Sequence, residues 1–201
     1  LAVAQAAAVS QALILMRSLP PPVFGRFFLF ACWEDGYEME DMSFGLWRDV
    51  STVFTPNYRF SGIAGAYPLP VAAAYGTAAA FLDLPTSLHS PIQTIGNFTI
   101  AQFRRQRAGW QVSIVAVWAA STWPRDVLQF RERCVQLPVA PSVLTEVQVY
   151  SGLGDNVETT GQIWMSPLPL FFVTAGQPTD SPAAAIVAAL TICATTKNCA
   201  C

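Results

Sequence analysis

Trp110–Ala119 reads WQVSIVAVWA. β-Branched and aromatic residues concentrate in these ten positions, the composition that suits a pleated, packed surface. Trp123-Pro124 ends the run, so it is expected to be a strand of the core. Three further stretches have the same character: Gly96–Phe103 upstream, and Gln162–Met165 and Leu168–Thr174 downstream, the last two separated by Ser166-Pro167. Over Val143–Tyr150 the chain alternates. Val143, Thr145, Val147 and Val149 fall on one side, and Leu144, Glu146, Gln148 and Tyr150 on the other, the period of a half-buried strand. The Gly-containing stretch Ser151–Asn156 reads as a turn.

Around these strands the pattern changes. Phe24–Trp33 is an apolar, aromatic run bounded by Glu34-Asp35-Gly36 and reads as a buried strand. Phe44–Tyr58 alternates loosely. Pro68–Leu84 is Ala-rich and suits a short helix or a small-residue surface packed closely by a neighbour. Pro85–Pro91 reads as a loop. Ala185–Cys193 is balanced between strand and helix, because Ala favours one and Ile, Val and Thr the other. Leu1–Leu19 reads as a helix or an arm, cut off by Pro20-Pro21-Pro22, a stiff extended link. Short strands with Gly/Pro turns and few helices point to a mainly β fold, a sandwich or barrel.

The 201 residues suffice for one domain with a sizeable core. They are 53% hydrophobic and only 12% charged, about half the usual soluble share. Such a chain covers apolar surface with something other than its own polar groups. A membrane-spanning helix needs roughly 20 apolar residues, and Leu1–Met16 and Ala183–Ala194 fall short of it, so no span is expected. Association with other protein chains is the remaining expectation.

Net charge is −2, which carries no general nucleic-acid signature. The basic residues are ten Arg and one Lys. Arg104, Arg105 and Arg107 form one cluster, and Arg125, Arg131 and Arg133 a second. Guanidinium groups suit ion pairs at interfaces and phosphate contacts alike. Because the chain is net acidic, contacts to carboxylates of a neighbouring subunit are the preferred role for Arg104, Arg105, Arg107, Arg131 and Arg133, with RNA phosphate the other.

Motifs for catalysis are scarce. No HExxH, P-loop or GxGxxG pattern is present. His89 is the single histidine and lies in a Pro-bounded loop without a nucleophile-elbow motif, so a small hydrolase built on it is a minor alternative. Glu34–Asp41 carries five carboxylates and reads as a solvated acidic loop, without the spacing of a calcium-binding EF-hand. No catalytic residue, metal site or cofactor is assigned, and the chain is not expected to be an enzyme. Five cysteines, Cys32, Cys134, Cys193, Cys199 and Cys201, are odd in number and complete no zinc spacing; free or buried thiols in a reducing compartment are expected. Asn97-Phe98-Thr99 is a glycosylation sequon, read as a chance match in the absence of a secretory signal.

The order of several segments resembles picorna-like virus capsid proteins. Met42–Phe60 (MSFGLWRDVSTVFTPNYRF) is similar to a strand that precedes their main domain, with Ser43, Leu46, Arg48 and Phe54 in matching places. Gly96–Trp118 resembles a later helix-and-strand segment through Phe103, Arg107, Gly109 and Ile114, with Ala108 standing between the Arg and the Gly. Glu146–Ser151 (EVQVYS) and Gln162–Gly176, with Phe171 and Phe172 and then Pro178, are similar to their last strands. The resemblance spans residues 42–178. It implies a jelly-roll sandwich of two antiparallel sheets with short helices. Residues 1–22 would be an N-terminal arm, exchanged between subunits or lining the shell, and residues 23–201 a single sandwich domain. The implied function is a structural subunit of an icosahedral virion, assembled in the host cytoplasm with other copies and sister capsid proteins, its inner face near genomic RNA. A different β-sandwich protein of assembly or adhesion is the alternative.

Overall fold

Trp110–Ala119 is a strand, and Ser113 to Trp118 are buried without a break. A strand at a sheet surface alternates; one covered on both sides reads as a continuous apolar run. The sequence WQVSIVAVWA is of that second kind because layers lie on both faces of its sheet. This computed structural model describes residues 2–19, 33–34, 47–49, 66–83, 85–107, 109–120, 132–177, 179 and 181–201.

In chain order the elements are α1 (Ala2–Arg17), β1 (Trp33–Glu34), β2 (Trp47–Asp49), β3 (Ala66–Pro68), α2 (Pro70–Leu82), β4 (Thr86–Ile95), β5 (Phe98–Arg107) and β6 (Trp110–Ala119). Then follow β7 (Arg133–Gln136), α3 (Pro141–Leu144), β8 (Val147–Ser151), β9 (Gln162–Met165), β10 (Leu170–Ala175), α4 (Ser181–Thr195) and a 3-10 turn over Lys197–Cys199. The main sheet is five-stranded and antiparallel, in the order β4-β5-β6-β10-β8. β7 and β9 form a separate antiparallel ribbon, and β1, β2 and β3 a small third sheet. The protein is mainly β, as expected.

The ribbon and α4 cover one face of the main sheet. Phe98, Ile100, Val115, Val117, Leu170 and Phe172 meet Val135, Ile163 and Met165 of the ribbon and Ile186 and Leu190 of α4. Helices α1 and α2 cover the other face, where Phe103, Ile114, Trp118 and Phe171 pack with Ile14, Ala78 and Leu82. Phe81 of α2 lies with its ring centroid 4.9 Å from that of Phe171. The two helices approach closely because small residues line their contact. Ala6 and Ala74 are fully buried, and Ser10 Oγ donates to the Ala74 carbonyl at 3.4 Å.

From β6 onward the chain crosses the core repeatedly: β6, β8 and β10 lie in the sheet, β7 and β9 in the ribbon. The pairs are nested. β6 pairs with β10 and, inside that pair, β7 pairs with β9.

Several expectations change. Leu1–Leu19, read as a helix or an arm, contains the helix Ala2–Arg17, which packs on its own chain's body. Ile14 is buried against the sheet, and Gln11 Nε2 donates to the Pro167 carbonyl at 2.6 Å. The Pro85–Pro91 loop is part of strand β4. Edge position makes this possible: Pro91 falls within the register shift between Ser90 and Gln93, where it has no ladder partner on β5. The strand expected over Val143–Tyr150 starts only at Val147, because Pro141 opens a one-turn helix. Ala185–Cys193 lies within helix α4.

The thiol expectation is overturned. Cys134 pairs with Cys201 and Cys193 with Cys199, at Cα–Cα distances of 5.5 and 5.2 Å, within the span a disulfide bridges. Ala200 also forms a bridge to Val135 of β7, so covalent and backbone bonds fasten the segment after α4 to the ribbon. Cys32, most of the Phe24–Trp33 run, the acidic stretch after Glu34 and most of Met42–Phe60 lie outside the described residues.

Two measurements check this architecture. Trp118→Ala should lower the unfolding free energy by about 3–5 kcal/mol in denaturant titration; a loss below about 1 kcal/mol would mean that β6 is not core. The Cys134–Cys201 bridge spans 67 residues. Replacing both partners by Ser should cost about 4 kcal/mol on loop-closure grounds, and an unchanged midpoint would argue that the bridge does not form.

Candidate functional site

One end of the main sheet is polar. There, beyond the reach of the ribbon and α4, the start of β4, the end of β5, the start of β6 and the end of β10 border a groove of about 400 Å³. Ser87, His89, Arg104, Gln106, Gln111 and Gln177 contribute to its lining, and among the described residues no carboxylate does. Strand pairing assembles it. Ser87 lies opposite Arg104, and Gln106 opposite Gln111, so these four side chains share a face.

Arg104 and Arg105 adjoin in sequence but the strand period of two sends them to opposite faces. Arg104 is exposed on the groove side, and its Nε donates to Ser87 Oγ at 3.3 Å. Arg105 turns toward α2, with Nε on Thr86 Oγ1 at 2.8 Å and Nη2 on the carbonyls of Ala80 and Phe81 at 2.6 and 2.8 Å. From α1, Arg17 donates to the carbonyls of Leu82 and Thr86 at 2.8 and 2.7 Å. Helix α2 carries no basic residue in its own last turn. Two arginines from other elements satisfy its terminal carbonyls and oppose the negative end of its dipole. Arg105 is therefore a structural cap, and Arg104 is the guanidinium presented outward.

Of the remaining basic candidates only Arg133 has a described side chain, and it does not line the groove. Arg107 ends β5 by backbone pairing with Trp110, and its side chain lies outside the described part. Arg133 is exposed on the ribbon, and Arg131 and Arg125 lie outside the described residues. Trp110 is 74% exposed at the head of β6, following Gly109 with φ +85°, and the strand period places it on the face opposite Gln111 and the groove. A second exposed tryptophan, Trp164 at 56%, stands on the outer side of the ribbon opposite Cys134. The partners Gln106 and Gln111 were not singled out from sequence. Their signal is the period of two across two neighbouring strands, which becomes usable only once the β5–β6 register is known.

His89 is exposed on β4 and has no hydrogen bond to a described side chain that would orient its imidazole. The adjacent Ser90 Oγ is buried without a partner among the described residues. Among those residues no group of three or more His, Cys, Asp or Glu side chains is placed to hold a metal ion, and no helix is long and apolar enough to cross a membrane.

No family model matches the chain, and neither a curated protein nor a solved structure does. What the groove can do follows from its donors. A planar guanidinium with three carboxamides and an imidazole offers several N–H groups, without a competing acid among the described residues. That set fits a carboxylate or a phosphate, and Arg grips either in bidentate fashion.

The division of labour between the two arginines is measurable. Arg105→Ala should cost about 1–3 kcal/mol by leaving helix carbonyls unpaired. Arg104→Ala should stay within about 0.5 kcal/mol. Equal losses in denaturant titration would mean that Arg104 is structural as well.

Proposed function

We propose that this chain is a structural subunit that associates with copies of itself, the Trp110–Arg104 end of the main sheet being one contact surface. The observation that carries this reading is the composition of that end. An outward Arg lines a groove to which no described carboxylate contributes, and an exposed Trp stands at the same end of the sheet on its other face; Trp and Arg are the residues in which binding energy concentrates at protein interfaces. The complementary charge is present in the chain itself, which is net acidic and carries five carboxylates between Glu34 and Asp41. A second copy therefore supplies acids to the groove.

The specific form proposed is a shell-forming coat subunit of jelly-roll type. The nested pairing of β6 with β10 and β7 with β9 supports it, since a jelly roll is a long hairpin wrapped into two sheets. The colinear segments that resemble picorna-like capsid proteins, and the low charge content of 12%, point the same way. Sister capsid proteins and genomic RNA are the partners that this form implies. The second reading, a secreted β-sandwich protein of assembly or adhesion, is favoured by the two disulfides, which persist in oxidising surroundings. For a shell, those bonds favour closure in the released particle or at an assembly site outside the reducing cytoplasm.

Sedimentation velocity across a concentration series, with electron microscopy of the product, tests the proposal. Discrete oligomers or closed particles are expected. Arg104→Glu should leave the fold intact and shift the distribution to monomer, and so should high salt, because an exposed charge contact is screened. A wild-type chain that stays monomeric throughout, or an Arg104→Glu chain that assembles normally, refutes the corresponding part of the proposal.

A further inference from the structure

We infer that Asn97 is an N-glycan acceptor, and that the chain folds in a compartment where disulfides close and oligosaccharide is transferred. Two independent observations carry this. The first is position. The sequon Asn97-Phe98-Thr99 falls on the hairpin between β4 and β5, where Ile95 pairs with Phe98 and Gly96 and Asn97 form the turn. Asn97 is exposed. Its carbonyl accepts from Ala120 N at 2.6 Å, while its side-chain amide has no hydrogen-bond partner among the described residues. A sugar on Nδ2 would therefore break no described contact and would project from the tip.

The second observation is redox. Four of the five cysteines are joined in two disulfides. Such bonds are characteristic of secreted and luminal proteins and rare in the cytosol, and the sequon is a meaningful signal only in that setting. The sequence alone made the match a chance one, whereas exposure at a turn and oxidised cysteines meet both of its conditions.

The structure also dates the reaction. Phe98 and Thr99 are buried, and Thr99 Oγ1 is 3.2 Å from Thr94 Oγ1 across the strand pair. A transferase that must read the Thr hydroxyl reaches it only before β4 and β5 close. Transfer therefore precedes the hairpin. Asn97 Nδ2 attacks C1 of a lipid-linked oligosaccharide diphosphate. The N–C1 bond forms and the C1–O bond breaks. The diphosphate leaves with the electron pair, and the amide gives one proton to a base on the enzyme. In the folded product the glycan stands beside the end of α4, because Gly96 lies so close to the Ala194 carbonyl that a Cβ could not be accommodated.

The test expresses the full chain behind a secretion signal in a eukaryotic cell, with a C-terminal tag bearing an acceptor sequon that reports entry into the lumen. Both cell-associated and secreted chains are treated with peptide N-glycosidase. Expected are two removable glycans, Asn97 converted to Asp in the peptide mass map, and loss of one glycan in Asn97→Gln and in Thr99→Val but not in Thr99→Ser. A chain whose tag is modified while Asn97 is not, in either fraction, overturns the inference. The readout is independent of self-association, so its failure leaves the interface proposal standing.

Discussion

The requirement that both faces of the main sheet be covered is the constraint on which the rest depends. β6 and β10 lie inside that sheet with large apolar side chains on both sides, Phe171 facing one way and Phe172 the other. Neither face tolerates water, and each needs its own layer. The Ala-rich helices supply one, because small residues let two helices lie close together over the Phe103–Trp118 surface. The ribbon and α4 supply the other, held by disulfides where few apolar residues remain to anchor the segment after α4.

What was legible in the sequence reflects which signals are local. β6 could be read because burial on both faces concentrates β-branched and aromatic residues in one run. Val147–Ser151, Gln162–Met165 and Leu170–Ala175 were legible for similar reasons. β4 was not: burial alternates along TSLHSPIQTI, but the edge strand's outward positions are polar or proline and its inward ones include Thr and Ser, so the composition reads as a loop. α4 stayed undecided because its Ala residues and its Ile, Val and Thr residues pull in opposite directions. Placed in an antiparallel sheet, its chain would have needed an open edge, whereas as a helix it covers the core.

The site was only partly legible. Arg104 and Arg105 were found as a pair, but adjacency hid their separate duties, one on a groove and one on a helix end. Arg17, which shares the capping of α2, lies 88 positions before Arg105 and carries no local signal of that role. The disulfides were illegible for the same reason. Cys134 and Cys201 are brought together by the path of the ribbon and α4, and spacing alone could not reveal it.

The place of β10 between β6 and β8 has a consequence for how the chain assembles in time. β4, β5 and β6 form a meander from local hairpins, while the strand that completes β6's free side comes from about fifty residues further on. Non-local pairings of this sort form late. Until β10 arrives, β6 offers an open, apolar edge, and the matching strand of another molecule is as good a partner as the chain's own. Crowded nascent chains thus have a route to strand-exchanged dimers built into the order in which this sheet is completed.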